Sequence, residues 1–332
     1  MSRALDEGIR EALSDGNHES IFEEIASVLS CDSGVLLEIE LLGYSHRLSA
    51  GSYYLQDGNA IAIPKLRLVQ AFIHARHVFR KHVETTESSA DDRIRNATAV
   101  MLLFDPEHLT AANARKRMLD SETGPKPGQA ARLLLREKLF VDSLLTSRLH
   151  RHTKSPTLWS HRRWLMGRLG ENGVAIERAR DLRTVVLVSA ERHPRNYYAW
   201  SHARHLGTPG DQGWTDADER RTMVADTKKW CFSHHDDVSG WMFLAFLLEG
   251  RPAEAALVFT ETLELAESFR WRNESVWYFL RNMVLGAAVA APQQERFSAA
   301  WRAARADSSE GSEERRTLDG LSSWISMCPG TM

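Results

Sequence analysis

The chain has 332 residues, with 42 Lys and Arg against 44 Asp and Glu and a hydrophobic fraction of 43%. A near-neutral balance leaves no electrostatic footprint for general nucleic-acid binding, and the composition is that of a globular protein whose length alone suggests about two domains. No apolar run approaches a membrane span and the N-terminus, "MSRALDEGIR", lacks a signal-peptide core, so the expectation is a cytoplasmic protein with no transmembrane segment.

In chain order, residues 1–64 stand apart. A helix is expected at "SIFEEIASVLS", "GVLLEIELLG" does not pattern as a helix, and "YYLQDGNAIAIP" places Asp57-Gly58 between short apolar runs, a hairpin signal that Pro64 closes. Cys31, Cys231 and Cys328 are too widely spaced for a metal knuckle and too few for a disulfide framework. Cys328 in "CPGTM" misses the C-terminal prenylation box by one residue. "NAT" at Asn96 and "NES" at Asn273 match the glycosylation pattern by chance, since no secretory signal accompanies them.

Residues 65–332 read as helix, turn, helix, repeated. "RLVQAFIHARHVFRKH" and "RIRNATAVMLLF" form a first pair, and "FDPEHLTAANARKRML" is a degenerate copy with Ala112 in a slot that tryptophan fills later. Those tryptophans are Trp159, Trp200, Trp241 and Trp277, separated by 41, 41 and 36 residues, each after a polar helix-start signal. A large ring in every unit is best explained by packing between neighbouring helix pairs.

Second helices lie between the anchors. From Ala131 to Leu149 a stripe of Leu134, Phe140 or Val141, Leu144 and Leu145 is apolar, while Arg136, Glu137, Asp142 and Arg148 form the polar side. "VAIERARDLRTVVLVSAERH" places Ile176, Ala179, Leu182 and Val186 on one face, and "PAEAALVFTETLELAESF" starts at Pro252 and carries Leu257, Leu263 and Leu265. A capping pair is expected after residue 291, around a polar loop at 304–316. Five units in all predict one all-α solenoid domain, stabilised by stacking of neighbours.

Histidine clusters invite metal readings. "HARH" occurs at His74–His77 and His202–His205, and "HHDD" at His234–Asp237, but no third and fourth ligands or orienting shell accompany them. Asp236 or Asp237 is better read as a cap for the Trp241 helix. His161 and His202 recur at equivalent repeat positions, which favours packing over catalysis. No Gly-rich phosphate loop, GxSxG or nucleophile–base pair is present.

Lys154 is different. It follows His150, Arg151 and His152 in "HRHTKSPTLW", and Arg195 takes the corresponding place in the next unit, followed by Tyr197 and Tyr198. Consecutive solenoid units put such positions on one rim, so these four residues are candidates for a shared anion site, with a solvated basic rim as the alternative.

The phrases "KSPTLWSHRRW", "RNYYAWSH" and "NESVW" resemble the repeats of protein prenyltransferase alpha subunits, over about residues 65–290. The resemblance implies a right-handed crescent of helical hairpins that pairs with a beta subunit, which supplies the catalytic zinc and the isoprenoid pocket. No cofactor is implied in this chain. By position, Lys154 matches the lysine that approaches the isoprenoid diphosphate, Tyr197 matches a tyrosine facing that site, and Tyr198 falls where the farnesyltransferase type commonly has histidine. Pro156, Ala112, Ala203 and Leu244 depart from the repeat pattern and weaken a match to the alpha subunit shared by farnesyltransferase and geranylgeranyltransferase type I. The type III geranylgeranyltransferase branch fits best. It implies the Rab geranylgeranyltransferase beta subunit as partner and, as acceptor, an already farnesylated protein such as a longin-type SNARE. A helical-repeat scaffold without prenylation chemistry is the alternative from a different class.

Overall fold

The computed structural model describes residue 13 and residues 18–30, 34–44, 46, 48–49, 51–85, 92–122, 128–208, 217–286 and 288–325. The readings made on "MSRALDEGIR", Cys31 and "CPGTM" lie outside them. The chain is mostly helical, as expected. Its internal contacts divide it into two compact units, Met1–Glu177 with Val188–His193, and Arg178–Leu187 with Pro194–Met332.

In the first unit, α1 (His18–Leu29) buries Ile21, Phe22, Ile25, Ala26, Val28 and Leu29, the three-and-four spacing of an amphipathic helix. It packs against α2 (Lys65–Thr85) and α3 (Asp92–Phe104). Three strands follow α1 in sequence: β1 (Glu38–Leu42), β2 (Leu55–Asp57) and β3 (Ala60–Pro64). The expected hairpin is β2–β3, antiparallel and turning at Gly58, whose φ of 58° favours a residue without Cβ. The sequence reading had no place for β1, which pairs parallel to β3 with Ile39 opposite Ile61. Its free edge is held by hydroxyls of helix α5 (Gln129–Thr146): Leu37 N–H donates to Ser143 Oγ (3.0 Å) and Ile39 N–H to Ser147 Oγ, just past that helix (2.9 Å). An edge satisfied in this way has fewer open groups to recruit another strand.

Helices α4 (Leu109–Glu122), α5, α6 (His150–Thr153) and α7 (Pro156–Glu171) follow in this unit, which Val188–His193 completes. The apolar stripe of α5 is buried as expected, but its polar side is not a solvent face. Glu137 and Asp142 are 3% and 2% exposed. Arg115 on α4 donates Nε and Nη2 to Glu137 (2.7 and 2.6 Å), and Arg162 on α7 donates Nε to Asp142 (2.7 Å), which also takes Lys138 Nζ (2.8 Å). Charged residues are almost never buried alone, and here each has its partner on a neighbouring helix.

Next come α8 (Arg178–Asp181), a π-helical turn (Leu182–Val186) and α9 (Leu187–Arg192). Leu182 and Val186 are buried as expected, whereas Ile176 precedes the helix. The second unit contains α10 (Tyr197–Gly207), α11 (Ala217–Ser233), α12 (Val238–Leu248), α13 (Pro252–Ser268), α14 (Glu274–Leu285), α15 (Ala291–Asp307) and α16 (Glu313–Ile325). The buried face of α13 is Ala255, Val258, Phe259, Thr262, Leu263 and Ala266; Leu263 is buried as expected, whereas Leu257 is 74% exposed and lies off that face. The expected loop at 304–316 shrinks to 308–312, because polar residues alone do not stop a helix: α15 runs on to Asp307 and α16 starts at Glu313.

All four anchor tryptophans are buried. Three make the same bond, the indole N–H donating to the carbonyl six residues upstream: Trp159 to Thr153 (2.8 Å), Trp241 to His235 (3.0 Å) and Trp277 to Trp271 (2.8 Å). Trp200 has no partner for that donor among the described residues and packs edge-on against Trp230. Residues at helix starts also clip one repeat to the loop before it. Ser155 Oγ donates to Pro106 O (3.1 Å), Asp237 Oδ2 accepts from Arg195 N (2.7 Å), and Ser275 Oγ and Asn273 Nδ2 donate to His235 O.

Candidate functional site

In the first unit, Lys154 sits at the junction of two helices. The short α6 ends on it, and Ser155 then caps α7, its Oγ accepting from Leu158 N (3.1 Å) with Pro156 in the first turn. The basic stretch before it separates into different roles. His152 is buried and donates Nε2–H to Leu103 O (2.9 Å) and Leu102 O (3.1 Å); burial pushes its pKa down to about 4, so it is a neutral strut. Arg151 pairs with Asp105 at 3.0 Å. His150 is exposed, with its ring 4.4 Å from that of His193. Lys154 is exposed, and among the described residues its ammonium has no ion-pair partner.

In the second unit, Arg195, Tyr197 and Tyr198 come together at the start of α10. Asn196 caps the helix, its Oδ1 accepting from Ala199 N (3.2 Å). Arg195 stands before it in the left-handed region, at φ 55°, which turns its N–H onto Asp237. Its exposed guanidinium has no ion-pair partner among the described residues. Tyr197 and Tyr198 are 72% and 38% exposed, with rings edge to face at 5.5 Å. Exposed, unneutralised cations held by rigid helix starts are suited to binding an anion.

Left-handed backbone costs a non-glycine residue about 1 kcal/mol or more. Arg195→Gly is therefore expected to raise stability by about 1 kcal/mol, read by thermal melting. An unchanged or lower melting temperature would contradict strain at this position.

Elsewhere the histidines have structural partners. His234 stacks on Trp230 with its Nδ1–H donating to the Trp230 carbonyl (3.0 Å), His235 stacks on Trp271, and Asp237 caps α12 through Ser239 N. His161 and His202 are fully buried. Among the described residues no three His, Cys, Asp or Glu side chains converge as a metal site, and no helix is long and apolar enough to cross a membrane. Two features were missed by sequence reading: the His150–His193 contact, and the apolar outer face of α12, where Val238 and Met242 are 41% and 42% exposed. The composition of "VSGWMFLAFLL", apolar but for Ser239, was the available signal for the second.

The protein prenyltransferase alpha subunit repeat model matches residues 142–169, the segment containing Lys154 and Trp159, and the ECM9 middle domain model matches residues 158–269. The chain is similar to protein prenyltransferase alpha subunit repeat-containing protein 1 of Homo sapiens, 30% identical over 179 residues, or 48% of this chain and 40% of that protein. It is 26% identical over 194 residues to Protein ECM9 of Saccharomyces cerevisiae, covering 57% of this chain and 48% of that one. Geranylgeranyl transferase type-2 subunit alpha of Homo sapiens is 27% identical over 239 residues, covering 68% and 38%. The chain thus spans less than half the length of these curated relatives. Tryptophan-anchored helix pairs, a lysine ahead of the first anchor and the match at residues 142–169 agree: the chain carries the protein prenyltransferase alpha subunit repeat and is similar to proteins built from it.

Proposed function

We propose that the chain is the alpha subunit of a heterodimeric protein geranylgeranyltransferase of the type III kind, paired with a Rab geranylgeranyltransferase beta subunit. Its acceptor is a cysteine of an already farnesylated protein such as a longin-type SNARE. The observation that carries this reading is Lys154, an exposed cation with no ion-pair partner among the described residues, inside the segment that matches the family repeat. The name of the type-2 alpha subunit relative supports the transferred group.

The partner's zinc would supply the acceptor cysteine as a thiolate. As the new sulfur–carbon bond forms, the carbon–oxygen bond to the diphosphate breaks and its electron pair leaves with the diphosphate. Lys154 offsets that growing charge, with Arg195 and Tyr197 as supporting contacts and Tyr198 beside them. A fixed donor aimed at developing charge contributes about 10²–10³ in rate. Lys154→Ala is expected to lower single-turnover transfer by the assembled heterodimer about that much, with assembly intact. An unchanged rate would remove Lys154 from the chemistry.

A scaffold without prenylation chemistry is the second reading, favoured by the apolar outer face of α12 at Val238 and Met242. Co-expression with prenyltransferase beta subunits separates the two: an obligate pair copurifies, burying on the order of 2,000–5,000 Å².

A further inference from the structure

We infer that His150, His193 and Lys154 form a proton-linked phosphoryl subsite, in which the two imidazoles become protonated as an anion seats beside Lys154. The identity of that anion as an isoprenoid diphosphate rests on the proposed function; the subsite itself does not.

His150 opens α6 and His193 directly follows α9, so two separate chain segments bring their rings to 4.4 Å with a 37° tilt. Lys154 closes the same short helix that His150 opens. The carboxylates nearby already serve arginines: Glu38 takes Arg148 (3.1 Å) and Arg192 (3.0 Å), and Asp105 takes Arg151 (3.0 Å). Counted over these ion pairs among the described residues, three arginines and a lysine against two carboxylates leave a positive excess before either histidine is charged.

The effect shows on His150. Burial, then the neighbouring His193, then Lys154 lower its pKa, and no carboxylate acts on it. A metal ion fits poorly, because Lys154 repels it and no third His, Cys, Asp or Glu ligand converges among the described residues. A phosphoryl group reverses each of these penalties. Its charge offsets the repulsion between the rings, both of which then become N–H donors, and Lys154 gains the counter-charge it lacks. Binding should therefore take up protons from solution, as imidazole does when a neighbour raises its pKa.

The test is calorimetric titration of the full chain with inorganic pyrophosphate at pH 6 and pH 8, in wild type, His150→Gln, His193→Gln and Lys154→Ala. A parallel arm uses geranylgeranyl diphosphate. Pyrophosphate itself carries less charge at pH 6, which works against tighter binding there. The expected result is nonetheless affinity about tenfold higher at pH 6 than at pH 8 in wild type, with most of the preference lost in either histidine variant. Lys154→Ala should weaken binding at both pH values. His150 is exposed, so His150→Gln should melt like wild type and keep the test valid if His193→Gln misfolds. Equal wild-type affinities, or an unaltered pH preference in His150→Gln, would overturn the subsite. Should Lys154→Ala abolish turnover while His150→Gln keeps the wild-type pH preference, the proposed function stands and the subsite falls. The reverse pattern, full turnover in Lys154→Ala with the pH preference lost in His150→Gln, keeps the subsite for binding and removes Lys154 from the chemistry. Binding of geranylgeranyl diphosphate without a response to pyrophosphate would place recognition on the isoprenoid chain and also overturn the subsite.

Discussion

Glu137→Leu is expected to cost about 3–5 kcal/mol of folding stability, measured as a fall in the denaturant midpoint with an unchanged slope. The carboxylate is wholly buried, and burial alone would raise its pKa. The Arg115 guanidinium outweighs that and holds it below the ordinary value. Arg115 is 4% exposed and gives Glu137 both of its fork donors; its remaining Nη1 goes to Arg95 O and Thr98 Oγ1. Removing the carboxylate strands a cation between α4 and α5. The second half of the experiment is Arg115→Met with Glu137→Leu, which removes both charges and keeps volume. It should recover most of the loss, because a buried pair replaced by packed apolar groups is often neutral or better. A single-variant cost under about 1 kcal/mol would mean that water reaches Arg115.

Acid should destabilise the chain well before its carboxylates titrate. Burial pushes His152 and His161 each down to about 4 from an ordinary 6.5. Below pH 6.5 the unfolded chain takes up protons that the folded chain refuses. Stability is therefore complete above pH 6.5 and falls as pH drops from there towards about 4. That interval corresponds to roughly 3 kcal/mol for each histidine when fully traversed, a large share of a typical total. Denaturation midpoints measured from pH 7.5 to 4.5 should fall continuously, and His152→Gln should flatten the curve. A level wild-type profile over that range would refute the buried-neutral assignment.

The helical body was legible because its signal is local: a tryptophan, a cap and an apolar stripe all fall within one turn or two of each other. What was not legible depends on partners far away in sequence. Glu137 and Asp142 read only as the polar side of their helix because periodicity does not say what a charge faces, and nothing near them names Arg115 or Arg162. Strand β1 was unassigned because its partner β3 and the serines that finish its edge lie beyond any local window. In the candidate site, Lys154 and Arg195 stood out as bases just ahead of an anchor. His193 did not, because it belongs to the far end of another helix, and the left-handed turn at Arg195 has no signature in "RNYY".

The clips between repeats have a consequence for synthesis. In each described case the later residue reaches back: Ser155 to Pro106, Asp237 to Arg195, Asn273 and Ser275 to His235. During translation the growing chain therefore presents backbone groups whose partners have not yet been made, and each repeat is finished only by the arrival of the next. Since domains emerge N-terminus first, a ribosome stalled before residue 273 would leave the His235 carbonyl with the Trp241 indole but without the two later donors, so this junction tightens only as the next repeat is made.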